Sequence, residues 1–284
     1  MSTPPPARRR IVILGGGMSA LAAAWALSET PDFATRYEVT LYQMGFRLGG
    51  KGASGRNTRC NDRIEEHGLH VWLGFYDNAF ALLRRCYDEL HREADAPLAS
   101  WRQAFKPHDY IGVSGEVSSH QRWFWLLDFP RTQREPGTPE QPLSIREQVA
   151  LSLRLLFRVA RSPKDADAEQ RRAIGSARRQ LFALGRAACR GLLRDRALLF
   201  GLDALDDWDL RAWLRRHGAT EEEAASPFLK GFYDLAFAYE DGDLARPNFA
   251  AGAALRAILR TMLTYKGAVF WKMQAGMGDV VFAP

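Results

Sequence analysis

The chain has 284 residues, 46% of them apolar and 25% charged, which fits about two globular domains and excludes a disordered or collagen-like chain. Cys60, Cys86 and Cys189 are far apart, form no C-x-x-C pair and are accompanied by six histidines. Neither a disulfide framework nor a metal cluster is expected, and a reducing compartment is the default. The net charge of +6 is uneven, because residues 146–196 hold 13 Lys and Arg against 5 Asp and Glu and the rest of the chain sums to −2. Any argument about basic partners must rest on that one segment.

Residues 1–9, with Pro4, Pro5 and Pro6, read as a tail outside the fold. The longest uncharged apolar stretch, residues 11–27, follows Arg8, Arg9 and Arg10. It is shorter than the about 20 residues a bilayer span needs. Gly15, Gly16 and Gly17 also divide it into a β-branched half, suited to a strand, and an alanine-rich half, suited to a helix. A strand, turn and helix with glycines at those places is a phosphate-binding turn: Gly15 permits the turn, Gly17 lets backbone approach a pyrophosphate, and Ala20 takes the third small position. Backbone N–H groups near Met18 and Ser19 would face the anion at the positive end of the helix. Residues 37–42, Tyr-Glu-Val-Thr-Leu-Tyr, supply a second strand and close a βαβ unit. At its end, where an acid usually accepts hydrogen bonds from a ribose, stand Gln43 and then Met44. The Gln43 amide keeps one carbonyl acceptor but gives up the charge.

Two more glycines follow, in Arg47-Leu48-Gly49-Gly50-Lys51, where flexible backbone and a cation can reach the same pyrophosphate from its other side. Here the sequence resembles the flavin-dependent amine oxidase and carotenoid desaturase superfamily. The resemblance rests on residues 15–21 (Gly-Gly-Gly-Met-Ser-Ala-Leu), 39–43 (Val-Thr-Leu-Tyr-Gln) and 47–51, in the same order and at the same intervals. It implies FAD, held by Gly15, Gly16, Gly17, Met18, Ser19, Ala20, Gln43, Met44, Arg47, Gly49, Gly50 and Lys51. Residues 64–74, Ile-Glu-Glu-His-Gly-Leu-His-Val-Trp-Leu-Gly, look like the stretch of carotenoid-desaturase-like and squalene-pathway flavoproteins that passes the isoalloxazine ring. By that resemblance His67, Gly68, Leu69 and His70 lie near the flavin; read without it, they are a polar loop with two surface histidines. No catalytic residue is assigned, because a flavin can accept a hydride without a protein base.

Beyond Phe75 the pattern turns mostly helical. Ser144 with Glu147, and Thr220 with Glu223, are capping boxes that each open a helix. Residues 111–129 suggest two short strands with Gly115 at the turn between them, and residues 130–142, with four prolines, a connecting loop. The helix at 145–161 carries an apolar arc of Val149, Leu153, Leu156, Phe157 and Ala160 bordered by Arg146, Arg154, Arg158 and Arg161. Two readings follow for the basic helices at 145–196: a membrane-surface element, and helices with a solvated face that cap a substrate cavity, which is the favoured one. Only Phe157 and Phe182 are aromatic between 146 and 196, so no base-stacking platform exists there and nucleic acid is not an expected partner. Farther on, Asp206, Asp207 and Asp209 lead into a helix whose buried stripe is Leu210, Trp213 and Leu214. Glu240, Asp241 and Asp243 lack the further ligands of a calcium loop and read as a solvated turn. The aromatic residues between 228 and 271 serve either a hydrophobic channel or the core.

Residues 271–282 resemble the superfamily's return from the substrate domain to the flavin domain, and the apolar ending at Pro284 reads as a truncation. The expected architecture is α/β: a Rossmann-like FAD-binding domain, incomplete at its C-terminus, in residues 10–75 and 271–284, and an inserted, mainly helical substrate domain in residues 76–270. The implied activity is an FAD-dependent oxidoreductase that removes a hydride and a proton from a hydrophobic, polyprenoid-like substrate. The alternatives are an FAD-dependent isomerase or dehydroxylase without net oxidation, and an inactive FAD-fold scaffold. A cytoplasmic location is expected, with peripheral contact at the inner face of the membrane as the open variant.

Overall fold

A computed structural model describes residues 8–118, 121–139, 142–160 and 167–282. Strand β1 (Arg9–Leu14) leads through the glycines into helix α1 (Met18–Ser28), a short α2 (Phe33–Arg36) and strand β2 (Tyr37–Tyr42). Two short hairpin strands, β3 (Gly55–Asn57) and β4 (Arg63–Glu65), precede β5 (Trp72–Leu73), α3 (Asp77–Glu89), α4 (Trp101–Ala104) and β6 (Phe105–His108). A longer hairpin, β7 (Tyr110–Ser118) and β8 (Gln121–Asp128), is followed by α5 (Ile145–Ala160), α6 (Ala168–Arg194), α7 (Ala197–Phe200) and α8 (Leu210–Arg216). Helices α9 (Glu221–Ala224), α10 (Pro227–Ala236) and α11 (Ala251–Leu263) and strand β9 (Phe270–Met273) complete the order.

The elements form two compact units. The first takes the chain up to residue 108, residues 136–138 and everything from 270 on; the second takes 109–135 and 139–269. In the first unit β1 and β2 pair in parallel, from Arg9 opposite Tyr37 to Leu14 opposite Tyr42. Both strands and the helix between them lie where the alternation of β-branched and alanine-rich segments puts them. Strands β3 and β4 pair antiparallel, and a three-stranded antiparallel sheet has the order β5-β9-β6. Its core is aromatic: the Phe80 ring lies edge-on to Trp72, Phe105 and Trp271 at centroid distances of 5.1, 5.5 and 5.7 Å. Tyr87 donates from its hydroxyl to the Val280 carbonyl at 2.8 Å. These contacts of α3 place residues 76–108 with the first unit, whereas helical patterning alone groups them with the segment that follows.

The second unit is mainly helical, with one hairpin. Its core gathers Leu210, Trp213 and Leu214 of α8 with Leu229 and Tyr233 of α10 and Ala251 and Ala254 of α11. The sequence stripe of α8 is therefore its buried face. Asp209 caps that helix, accepting from the Ala212 N–H at 3.1 Å. Its other oxygen accepts from the Tyr233 hydroxyl at 2.7 Å and the Phe249 N–H at 3.1 Å. Both capping boxes form: Ser144 N–H donates to Glu147 at 2.7 Å, and Thr220 N–H to Glu223 at 2.8 Å. Helix α5 is described to Ala160, and Arg161 lies outside the described residues.

One expectation needs revision. Gly115 is not at a turn but inside β7, paired with Trp123, and the hairpin closes between Ser118 and Gln121, around residues outside the description. A Cβ at Gly115 would sit 2.6 Å from the Trp123 indole nitrogen, so the glycine makes room for a ring. Glu240, Asp241 and Asp243 are exposed on a tight turn, as read from the sequence, and all three surround Arg246 at 3.2, 2.6 and 3.4 Å. Among the late aromatics, Tyr233, Tyr265 and Trp271 are buried in packed cores. The proline-rich segment is a connection without helix or strand over residues 129–139, yet Pro130 and Pro136 are fully buried. No helix among the described residues is long and apolar enough to cross a membrane.

Candidate dinucleotide-binding site

The site grows from the end of β1. Gly15 takes φ +105°, a left-handed value that side chains disfavour, and its N–H donates to the Tyr42 carbonyl at 2.8 Å. The turn then opens helix α1 at Gly17, which caps the helix with backbone only, and no acid stands in the first turn. The first N–H groups of a helix have no partner within it. Here no side chain caps them, so they are available to an anion. A Cβ on Gly15 or Gly17 would meet nothing within 4 Å, so open space lies before this backbone.

The chain after β2 folds back onto the same turn. Gly49 N–H donates to the Gly16 carbonyl at 2.6 Å, and Gly17 and Gly49 form a parallel bridge. Gly50 comes so close that a Cβ would lie 3.1 Å from Gly17 Cα, and its φ is +56°. Two glycine segments therefore pack backbone against backbone, and a side chain at Gly50 would strain that approach. Between them opens a cleft of about 570 Å³ lined by residues 14–17, 42–45 and Gly50. Exposed Leu14, Tyr42 and Met44 contribute apolar surface to it.

Gln43 has a structural use for its amide. Its Nε2 donates to the Arg47 carbonyl at 2.9 Å, and its Oε1 lies over Gly16, 2.6 Å from where a Cβ would be. A carboxylate could accept there but not donate, so the residue that departs from the usual acid braces the returning loop. Arg47 is turned elsewhere: its guanidinium donates to the Ser54 carbonyl and sits 5.1 Å over the Phe46 ring. It lines a second cleft, of about 370 Å³, with Ser54, Arg56, Asp279 and Phe282. Lys51 is exposed on the tight turn Gly50–Gly52. Met18, Ser19 and Ala20 form the first turn of α1.

His67, Gly68 and Leu69 are exposed, and residues 67–70 line neither cleft. His70 is partly buried, its Nδ1 2.8 Å from Glu66 Oε2. The other Glu66 oxygen accepts from Ser54 Oγ at 2.6 Å and from the Met277 N–H at 2.5 Å, and Gly278 N–H donates to Ser54 Oγ at 2.8 Å. Arg56 adds an ion pair to Asp279 at 2.6 Å. Burial alone would raise the Glu66 carboxyl, but the hydrogen bonds from Ser54, His70 and Met277 outweigh it and hold the group below its ordinary value. Ser54 and Glu66 are thus the residues that sequence reasoning missed. In the sequence Glu66 is one of two adjacent acids, and its decisive partner is 211 positions away.

Residues 13–86 match the family of NAD(P)-binding Rossmann-like domains. No protein of curated function matches the chain. The match runs from the end of β1 through the glycine turn, β2 and the second glycine pair, the segments that form the cleft. It gives the chain a Rossmann-like dinucleotide-binding domain of the kind typical of oxidoreductases, and a dinucleotide as the implied cofactor.

Proposed function

We propose that the dinucleotide is FAD and that the chain belongs to an oxidoreductase of the amine oxidase and carotenoid desaturase type, acting on a hydrophobic, polyprenoid-like substrate. The observation that carries this reading is the return of the second glycine pair to the first turn, with Gly49 N–H on the Gly16 carbonyl at 2.6 Å. A pyrophosphate placed before the α1 N-terminus would have backbone donors ahead of it, and the Gly49–Gly50 backbone closes against the same turn. The fit is chemical as well as steric: positive-φ glycines, no acid in the first turn and open space before Gly15 and Gly17 suit a dianion. Bound FAD would supply the hydride acceptor. This chain's residues would bind and orient it: Gly15 and Gly17 by leaving backbone bare, Gln43 by bracing the 43–47 loop, Lys51 by adding positive charge beside the second glycine pair. The preference for a polyprenoid over an amine rests on the likeness of residues 64–74 to the desaturase branch.

The test is retention of flavin by the purified full chain, read by visible absorbance and by fluorescence of flavin released on denaturation. Wild-type protein is expected to retain or rebind FAD, and Gly17→Val to lose it while keeping its far-ultraviolet circular dichroism. Binding of NADP with no affinity for FAD, or equal FAD affinity in wild type and Gly17→Val, overturns the assignment.

A further inference from the structure

Helix α5 carries two apolar faces, and only one is used. Leu151 and Val159 are buried, and the helix packs against β8 and α11 through that side. Ile145, Val149, Leu153, Leu156 and Phe157 are exposed, at 80, 52, 61, 49 and 72% of their surface. At 3.6 residues per turn these five fall on one arc, roughly a third of the circumference. Solvated faces of soluble helices are polar, so a continuous apolar arc facing solvent requires an occupant.

The charges around the arc say which occupant. Arg146 lies within its first turn and Arg154 about 60° beyond its far edge, both exposed, whereas Arg158, farther round, is paired with Asp128 at 2.5 Å. The one acid of α5, Glu147, is already held by Ser144 and by Arg134 at 2.8 Å. Helix α6 meets the end of α5 through Arg178, which donates to the Ala160 carbonyl at 2.7 Å. Large aliphatic and aromatic side chains bordered by Arg146 and Arg154, with Glu147 and Asp128 already paired to Arg134 and Arg158, match the boundary of an anionic bilayer: the apolar arc enters the acyl edge and the Arg146 and Arg154 guanidiniums remain among headgroup phosphates. We propose that α5 docks this chain in the plane of an anionic membrane surface, with Leu153 and Phe157 as the deepest side chains. The proposal stands independently of the flavin assignment, since it concerns a different unit and different residues.

The test is flotation of the full chain with vesicles of phosphatidylcholine alone and of phosphatidylcholine with about 30% phosphatidylglycerol. Binding is expected only to the anionic vesicles and should weaken in high salt. A Leu153→Glu/Phe157→Glu pair should lower partitioning by about tenfold or more, and Arg146→Gln/Arg154→Gln should lower it with unchanged circular dichroism. In Phe157→Trp the new indole should be quenched by lipids labelled near the top of the acyl chain. Two results overturn the proposal: equal binding by the Leu153/Phe157 pair, or no binding to anionic vesicles, whether alone or together with a concentration-dependent dimer that the same pair abolishes. That dimer would make the face an interface between two copies.

Discussion

At the scale of single residues, Glu66 joins parts of the chain that its neighbours in sequence do not. One carboxylate accepts from Ser54, from His70 and from the Met277 backbone, so the loop after the second glycine pair and the segment after β9 share one charge. Hydrogen bonds to an ionised group contribute about 1.5–3 kcal/mol, and Glu66→Gln keeps the shape while removing the charge. The substitution is expected to lower stability by about 1–3 kcal/mol, read by urea unfolding at neutral pH. The pH dependence has a definite sign. The folded value lies below the ordinary one, so this stabilisation is complete above the ordinary carboxylate value and is lost as pH falls through the folded value. The Gln variant should lack that part of the acid limb. Gln43 teaches a complementary lesson, since its amide donates to the Arg47 carbonyl, a role that no acid at the position can take. The glycines of the cleft were legible because turn and close approach admit few other residues. The Glu66 cluster was not, because nothing local distinguishes a carboxylate that will be shared from one that will be solvated.

At the scale of elements, the helix starts were the most legible features because the partners of a cap lie within three residues. Ser144 and Glu147 bond each other reciprocally, and Arg134 adds contacts at 2.8 and 3.0 Å. Bonds from Ser144 and from Arg134 push the Glu147 carboxyl down to about 2. Glu147 therefore contributes to stability fully above its ordinary value near 4.5, and that contribution is lost as pH falls from there toward about 2. Ser144→Ala is expected to cost about 1 kcal/mol at neutral pH. It should also flatten the acid limb over that window, which urea titrations at several pH values would show. The hairpin was legible as two strands, but its turn was not. Gly115 reads as a turn residue in sequence, and only the Trp123 ring across the ladder explains it as a clearance. Helix α5 illustrates the same limit, because its periodicity shows an apolar arc but not whether that arc or the opposite one is packed.

At the scale of the whole molecule, two units with separate cores should respond separately to perturbation. Asp209 is the junction of the second: it caps α8 and accepts from Tyr233 and from Phe249 N–H. Losing a cap and two partly buried hydrogen bonds in Asp209→Ala should cost about 2–4 kcal/mol. Differential scanning calorimetry is expected to show that Asp209→Ala lowers one transition, while Glu66→Gln lowers the other and added FAD raises that same one by mass action. A single transition moved equally by all three would refute independent units. The division at residue 108 could not be seen in the chain, since helical patterning is continuous there and only the aromatic cluster around Phe80 assigns α3 to the first unit.

What the sequence by itself determined is the βαβ start and its glycine turn, the absence of a spanning stretch among residues 11–27, and the two capped helix starts. Each rests on interactions within a few residues, or on backbone conformations that few side chains permit. Tertiary structure decided the rest: that Gly49 and Gly50 close on Gly16 and Gly17, that Arg47 turns to Ser54, that Glu66 gathers partners from across the chain, and that the exposed arc of α5 is the apolar one. Those outcomes depend on which distant surfaces meet, and hydrophobic periodicity specifies a face without specifying what lies against it.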